Sequence, residues 1–194
     1  MEKSTKLYFA HPINVYDTPL ETALEILIQE VLPEYEIESP GKPNHEQEYE
    51  KWKARTETSR DKHNAMAYFY EVVMPQCVGC ISLPFLDRRL GLGVNGETKK
   101  TIERGQPAWF LAPTRTATQK DLEEFIADPM SGLFIVRPFT EDEVQLILRE
   151  DPLICVSHQE TRLRTFFVYN GHKRSYMEAH LVQMPIPDGF YPNG

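Results

Sequence analysis

The sequence predicts an α/β protein built on a doubly wound parallel sheet of about five strands, Rossmann-like or flavodoxin-like. Three observations point there. Short apolar runs of strand length alternate with helical patterns from residue 6 to about residue 150. Several of those helices open on N-cap signatures that follow a strand after a short connection. No repeat, low-complexity linker or apolar run of about 20 residues interrupts the alternation.

Each element follows from local chemistry. Lys6-Leu7-Tyr8-Phe9-Ala10 reads as a short buried strand stopped by His11-Pro12. Thr18-Pro19-Leu20-Glu21 starts a helix, with Thr as N-cap, Pro at the first helical position and Glu three residues after the cap. Leu20, Leu24, Leu27 and Val31 recur at helical spacing until Pro33. Tyr35 to Glu38 is the second strand, and His45 to Glu71 is expected to form one or two helices. Cys77 to Leu83 is the third strand. It leads into a loop from Phe85 to Gly96 and a helix from about Glu97 to Arg104. Gly105 caps that helix before the fourth strand, Gln106 to Leu111. Lys120 to Ala127 is helical, Leu133 to Val136 is the fifth strand, and the capping box at Thr140 opens a helix through Leu148. Beyond it, residues 163–169 look extended, residues 176–182 look helical, and the proline-rich end looks irregular.

With 194 residues the chain fits one domain, 1–194, in which about 140–194 form a C-terminal extension. A net charge of −8 argues against a nucleic acid polymer as partner, since that binding needs a basic face. The start of the chain lacks the apolar core of a signal peptide, so a cytoplasmic protein with no membrane partner is expected. The chain has 3 cysteines, too few for a disulfide framework. Cys77-Val78-Gly79-Cys80 has no second pair to complete a zinc site, and its cysteines are expected to pack as small buried hydrophobes. No histidine spacing suggests a metal, and no cofactor is expected.

In a doubly wound sheet, ligands bind beyond the carboxyl ends of the strands. That rule selects residues 11–16, 39–43 and 84–97. In the last of these, Gly91-Leu92-Gly93-Val94-Asn95-Gly96-Glu97 joins a strand to a helix. Its glycines suit a phosphate cradle, although the spacing is not GxGxxG and the carboxylate at its mouth would repel phosphate. Glu97 itself suits a nucleophile or general acid/base, held where the helix dipole favours its ionised form. The alternative is an acid in the first turn that only stabilises the helix.

The strand Leu7 to Ile13 with its following helix resembles the opening of the nucleoside 2-deoxyribosyltransferase superfamily, which includes nucleoside 5′-monophosphate N-glycosidases. Arg60-Asp61 resembles its Asp-bearing helix start. Leu92 to Glu97 resembles the signature that carries the nucleophilic Glu, and Arg104 to Phe110 its turn into the fourth strand. The similarity covers about residues 6–111. Asn95 stands where the signature has glycine, and Thr98-Lys99 where it has Leu-Gly.

The resemblance implies cleavage or exchange at the N-glycosidic bond of a nucleoside or nucleotide, through a glycosyl-enzyme on Glu97. A carboxylate beside the anomeric carbon stabilises the oxocarbenium-like transition state and can bond to it. Asp61 is the second expected catalytic group, contacting base or sugar. Tyr8, on the first strand, is placed to hydrogen-bond the nucleophile or the ribose. His11, Pro12, Asn14, Asp87, Gly91, Gly93 and Asn95 are the candidate substrate-binding residues. Relatives of the superfamily assemble as homodimers or larger homo-oligomers, and the aromatic end Met184 to Pro192 is a candidate for that contact. Two alternatives stand beside this: an NAD-cleaving glycohydrolase, and a non-catalytic nucleotide sensor.

Overall fold

The computed structural model describes residues 5–55 and 65–157. Asp61, the expected elements over 163–169 and 176–182 and the aromatic end lie outside these residues. The described chain forms a five-stranded sheet in the order β2-β1-β3-β4-β5, flanked by helices on both faces. The strands are β1 (Lys6–Ala10), β2 (Glu36–Glu38), β3 (Gly79–Ser82), β4 (Ala108–Pro113) and β5 (Phe134–Pro138). The helices are α1 (Pro19–Val31), α2 (Pro43–Arg55), α3 (Ala65–Tyr68), α4 (Leu92–Glu103), α5 (Gln119–Ala127) and α6 (Glu141–Arg149). A π-helical turn, Phe69–Val73, and a 3-10 turn, Met74–Gln76, extend α3.

Period-two alternation along the strands separates two cores. Leu7, Phe9, Ile81 and Leu111 pack on one face against Leu20, Leu24 and Ile28 of α1 and Leu122 and Phe125 of α5. Tyr8, Ala10, Cys80 and Phe110 pack on the other face, against Val94 of α4, Ile147 of α6 and Tyr68 of α3. The capping expected for α1 is present, with the Glu21 amide donating to Thr18 Oγ1 at 3.2 Å. α5 and α6 each start on a complete capping box, at Thr118 and Thr140.

β1 to β4 are mutually parallel, whereas β5 runs antiparallel to β4. Sequence alternation cannot distinguish a full crossover from a return at the same end of the sheet. Here the chain returns at the same end: the Thr114 amide donates to the Leu133 carbonyl at 2.9 Å. Gly132, at φ +83°, makes the turn that permits this. An antiparallel edge strand on a parallel sheet is common in this class. No helix among the described residues is long and apolar enough to cross a membrane.

The strand order reverses direction at β1. The chain steps from β1 to β2 on one side, then to β3 on the other. The crevice beyond the carboxyl ends of β1 and β3 is therefore the switch point at which doubly wound sheets bind ligands.

Candidate active site

Tyr8 lies in the middle of β1 and faces α4. Its hydroxyl donates a 2.6 Å hydrogen bond to Oε1 of Glu97, 89 positions away in sequence. Tyr8 is fully buried and Glu97 is 4% exposed. The other carboxyl oxygen of Glu97, Oε2, hydrogen-bonds to none of the described residues. Burial pushes Glu97 up to about 8, and the Tyr8 hydrogen bond pulls it only part of the way back. Burial, together with the Glu97 charge, holds the Tyr8 phenol well above its ordinary range. The pair is thus a protonated phenol donating to a carboxyl group poised to ionise just above neutrality.

The position of Glu97 in its helix corrects an expectation. α4 begins at Leu92, with Gly91 as N-cap, and no acid lies in its first turn. Glu97 sits in the second turn, so the helix terminus does not hold its charge, and burial acts the other way. Gly93 and Gly96 are part of the helix instead of a loop ahead of it. Their low helix propensity is overridden by packing. Val94, Thr98 and Thr101 bury one face of α4, while Gly93 and Gly96 present a bare flank. A β-carbon at 93 would touch Met66 Sδ at 3.7 Å, and one at 96 would overlap the Tyr70 hydroxyl. Gly91 similarly lies under the Phe85 ring, 3.1 Å from where its β-carbon would be. The bare faces, which the spacing and Glu97 already disfavour as a phosphate cradle, are taken up by this chain's own side chains.

A polar seam fixes the roll of α4 on the sheet. Ser82 Oγ of β3 and Thr98 Oγ1 lie 2.6 Å apart, and Thr98 donates on to the Val94 carbonyl at 2.7 Å. The Thr101 hydroxyl donates to the Glu97 carbonyl at 3.1 Å. These bonds anchor the backbone on either side of the carboxylate.

The remaining predicted residues scatter around this centre. His11 is buried, with Nδ1 2.8 Å from the Phe9 carbonyl and Nε2 3.0 Å from Glu21 Oε1. Its ring stacks on Phe9 at 4.2 Å. Glu21 also accepts from the Ser39 hydroxyl and the Asp17 amide. Burial opposes its ionisation, yet the bonds from His11, Ser39 and Asp17 hold it below its usual range. His11 therefore ties the loop after β1 to α1 and to the segment after β2, and both its nitrogens are engaged within the chain. Pro12 is buried at the start of a 3-10 turn, Ile13–Val15. The side chain of Asn14 lies outside what the structure describes. Asp87 accepts from Arg89, at 3.0 Å from Nε and 3.3 Å from the backbone amide, bracing the loop between β3 and α4.

Asn95 precedes Glu97 by two residues, which sets it about 160° away around the helix. It is buried, and its Oδ1 has no hydrogen-bond partner among the described residues, a costly state of about 1–3 kcal/mol. Cys77 and Cys80 are buried free thiols, pushed by burial to about 12 and about 11. Among the described residues no group of three or more His, Cys, Asp or Glu is placed to hold a metal ion.

The structure adds groups that no motif announced. Glu38 is the register partner of Tyr8 across β1 and β2. It is buried between Lys6 Nζ and His45 Nε2, each at 2.8 Å. These residues, with Tyr68 and Gln76, line a polar cavity of about 170 Å³. The Phe69 ring lies between it and the candidate centre, 5.7 Å from His45 and 6.3 Å from Tyr8. Only the aromatic run Tyr68-Phe69-Tyr70 in the sequence hinted at this wall. No family model, curated protein or solved structure matches the chain.

Proposed function

We propose that this protein cleaves or exchanges the N-glycosidic bond of a nucleoside or nucleotide, with Glu97 as nucleophile. The observation that carries the proposal is the buried Tyr8–Glu97 hydrogen bond of 2.6 Å, made next to the switch point of the sheet. A buried carboxyl group that makes no ion pair among the described residues, with one oxygen oriented by a phenol and the other unbonded among them, suits covalent catalysis.

In this mechanism Glu97 Oε2 bonds to the anomeric carbon as the C–N bond breaks, and the electron pair leaves with the base. The departing nitrogen takes a proton, which we assign to Asp61 as donor. Tyr8 keeps its hydrogen bond to Oε1 throughout, holding the carboxylate in line. Water then attacks the anomeric carbon to give hydrolysis, or the nitrogen of a second base attacks to give exchange; the incoming group passes its proton to the Asp61 carboxylate, the bond to Glu97 breaks, and Glu97 returns as carboxylate. Because burial raises Glu97 to about 8, the reactive, ionised form is the minor one in the free protein at pH 7.

The test is incubation of the full chain with a panel of nucleosides, nucleoside 5′-monophosphates and NAD, with free base followed by chromatography. Base release by the wild type and none by Glu97→Gln supports the proposal. A wild type that binds nucleotides but releases no base overturns it in favour of a sensor.

A further inference from the structure

The π-helical turn packs against both elements of the candidate centre, Phe69 on Tyr8 of β1 and Tyr70 on α4 at Gly96. Phe69 packs on Tyr8 at 6.3 Å between ring centroids. The next residue, Tyr70, lays its hydroxyl against α4 at Gly96, beside Glu97. Gly93, Gly96 and Glu97 fall within an arc of about 100° on α4. This bare flank is what lets the ring approach. The extra residue of a π-turn re-aims the side chains that follow, and such turns recur at functional sites. Arg104 Nη2 donates to the Tyr70 carbonyl at 2.8 Å, fixing the turn to the far end of the same helix.

The Tyr70 hydroxyl makes no hydrogen bond to any described residue. Burial, with the charges of Glu97 and Glu150, keeps the phenol above its ordinary range and hence protonated. It is therefore a neutral donor and acceptor without a partner among the described residues, set against α4 one position before Glu97, whose charge acts on it. An anomeric carbon seated on Glu97 would carry its ring hydroxyls toward this phenol. A phosphate would not be favoured there, because the charges acting on Tyr70 are both carboxylates.

Resting on the function proposed above, we propose that Tyr70 is a substrate-contacting residue that hydrogen-bonds a hydroxyl of the sugar and sets preference between sugars.

The experiment compares wild type with Tyr70→Phe on a ribonucleoside, its 2′-deoxy form and its 3′-deoxy form, all with one base. The expected result is a loss of roughly 10-fold in kcat/KM on substrates carrying the contacted hydroxyl, with no loss on the analogue lacking it. Gly96→Ala provides the second variant. Its methyl group overlaps the Tyr70 hydroxyl, so it should reproduce the loss in the wild-type background. In Tyr70→Phe the nearest ring atom is Cζ at 3.5 Å, an ordinary contact, so the same alanine should cost no further activity and should raise Tm. If the wild type releases base and Tyr70→Phe stays within twofold on all three substrates, the assignment of Tyr70 falls while the proposed reaction stands. If the wild type releases no base, both fall together.

Discussion

At the scale of single residues, the Tyr8–Glu97 pair makes opposite predictions for two chemical roles. A nucleophile must be ionised, so kcat/KM should rise with pH and level off above about 8, where burial has placed the Glu97 proton. A general acid would give a falling limb instead. A pH–rate profile separates them, and a falling limb through that range would remove Glu97 as nucleophile. Tyr8→Phe refines the test. The phenol donates to the carboxylate and lowers its proton affinity, so removing it should shift the rising limb to higher pH. We expect a loss of about 10- to 100-fold in kcat at pH 7 from that shift and from poorer alignment. Glu97→Gln should lose at least about 1,000-fold with the fold retained, since shape and the Tyr8 hydrogen bond survive but the nucleophile does not. Full activity in a folded Glu97→Gln protein would end the mechanism.

At the scale of elements, the polar seam under α4 holds the carboxylate in place. Thr98→Val keeps the shape and deletes the hydroxyl that meets Ser82 Oγ at 2.6 Å. Ser82 is fully buried and its hydroxyl then keeps, among the described residues, only the long contact to Cys80 Sγ at 3.6 Å, so losing this partner should cost about 1–3 kcal/mol, read as a lower midpoint in denaturant. The double variant Ser82→Ala/Thr98→Val should recover much of that, and equal loss in both would show that the seam contributes nothing specific. The elements also show what was legible in the chain. α1 and α6 announce themselves because Thr18 and Thr140 cap them with side chains, whereas the equally complete cap of α5 at Thr118 goes unread and the sequence places its start at Lys120. α4 hides its start because Gly91 caps it with no side chain and its first turns hold Gly93 and Gly96. Reading those glycines as a loop put Glu97 at a helix terminus it does not occupy. Tyr8 was legible as a partner for Glu97 because both flank one crevice in any doubly wound sheet. His11 was not legible as a structural residue, since its partner Glu21 also reads as an ordinary first-turn capping acid. Tyr70 depends on an approach to Gly96 that only the packed structure reveals.

At the scale of the whole molecule, the group that would do the chemistry is one that folding disfavours in its charged form. Folding raises Glu97 from 4.5 to about 8, so the native state keeps a proton that the unfolded chain has released. The stabilisation from that proton is complete below about pH 4.5 and is lost as pH rises through about 8, an effect on the order of 5 kcal/mol. Glu21, Glu38 and Glu143 act in the other direction: hydrogen bonds and ion pairs lower them, so their contribution is present above the ordinary carboxylate range and fades in acid. The two windows meet near pH 5, where overall stability should be greatest. Glu97→Gln isolates one of them, because glutamine resembles the protonated acid at every pH. Its stability should match the wild type near pH 4.5 and exceed it increasingly toward pH 9, while activity is absent throughout. Denaturant unfolding of the two proteins between pH 4.5 and 9 measures this divergence. Parallel curves would mean that Glu97 ionises in the native state as readily as in the unfolded chain. The charge required for attack would then carry no cost in stability, and the burial that marks Glu97 as the reactive carboxyl group would lose its force.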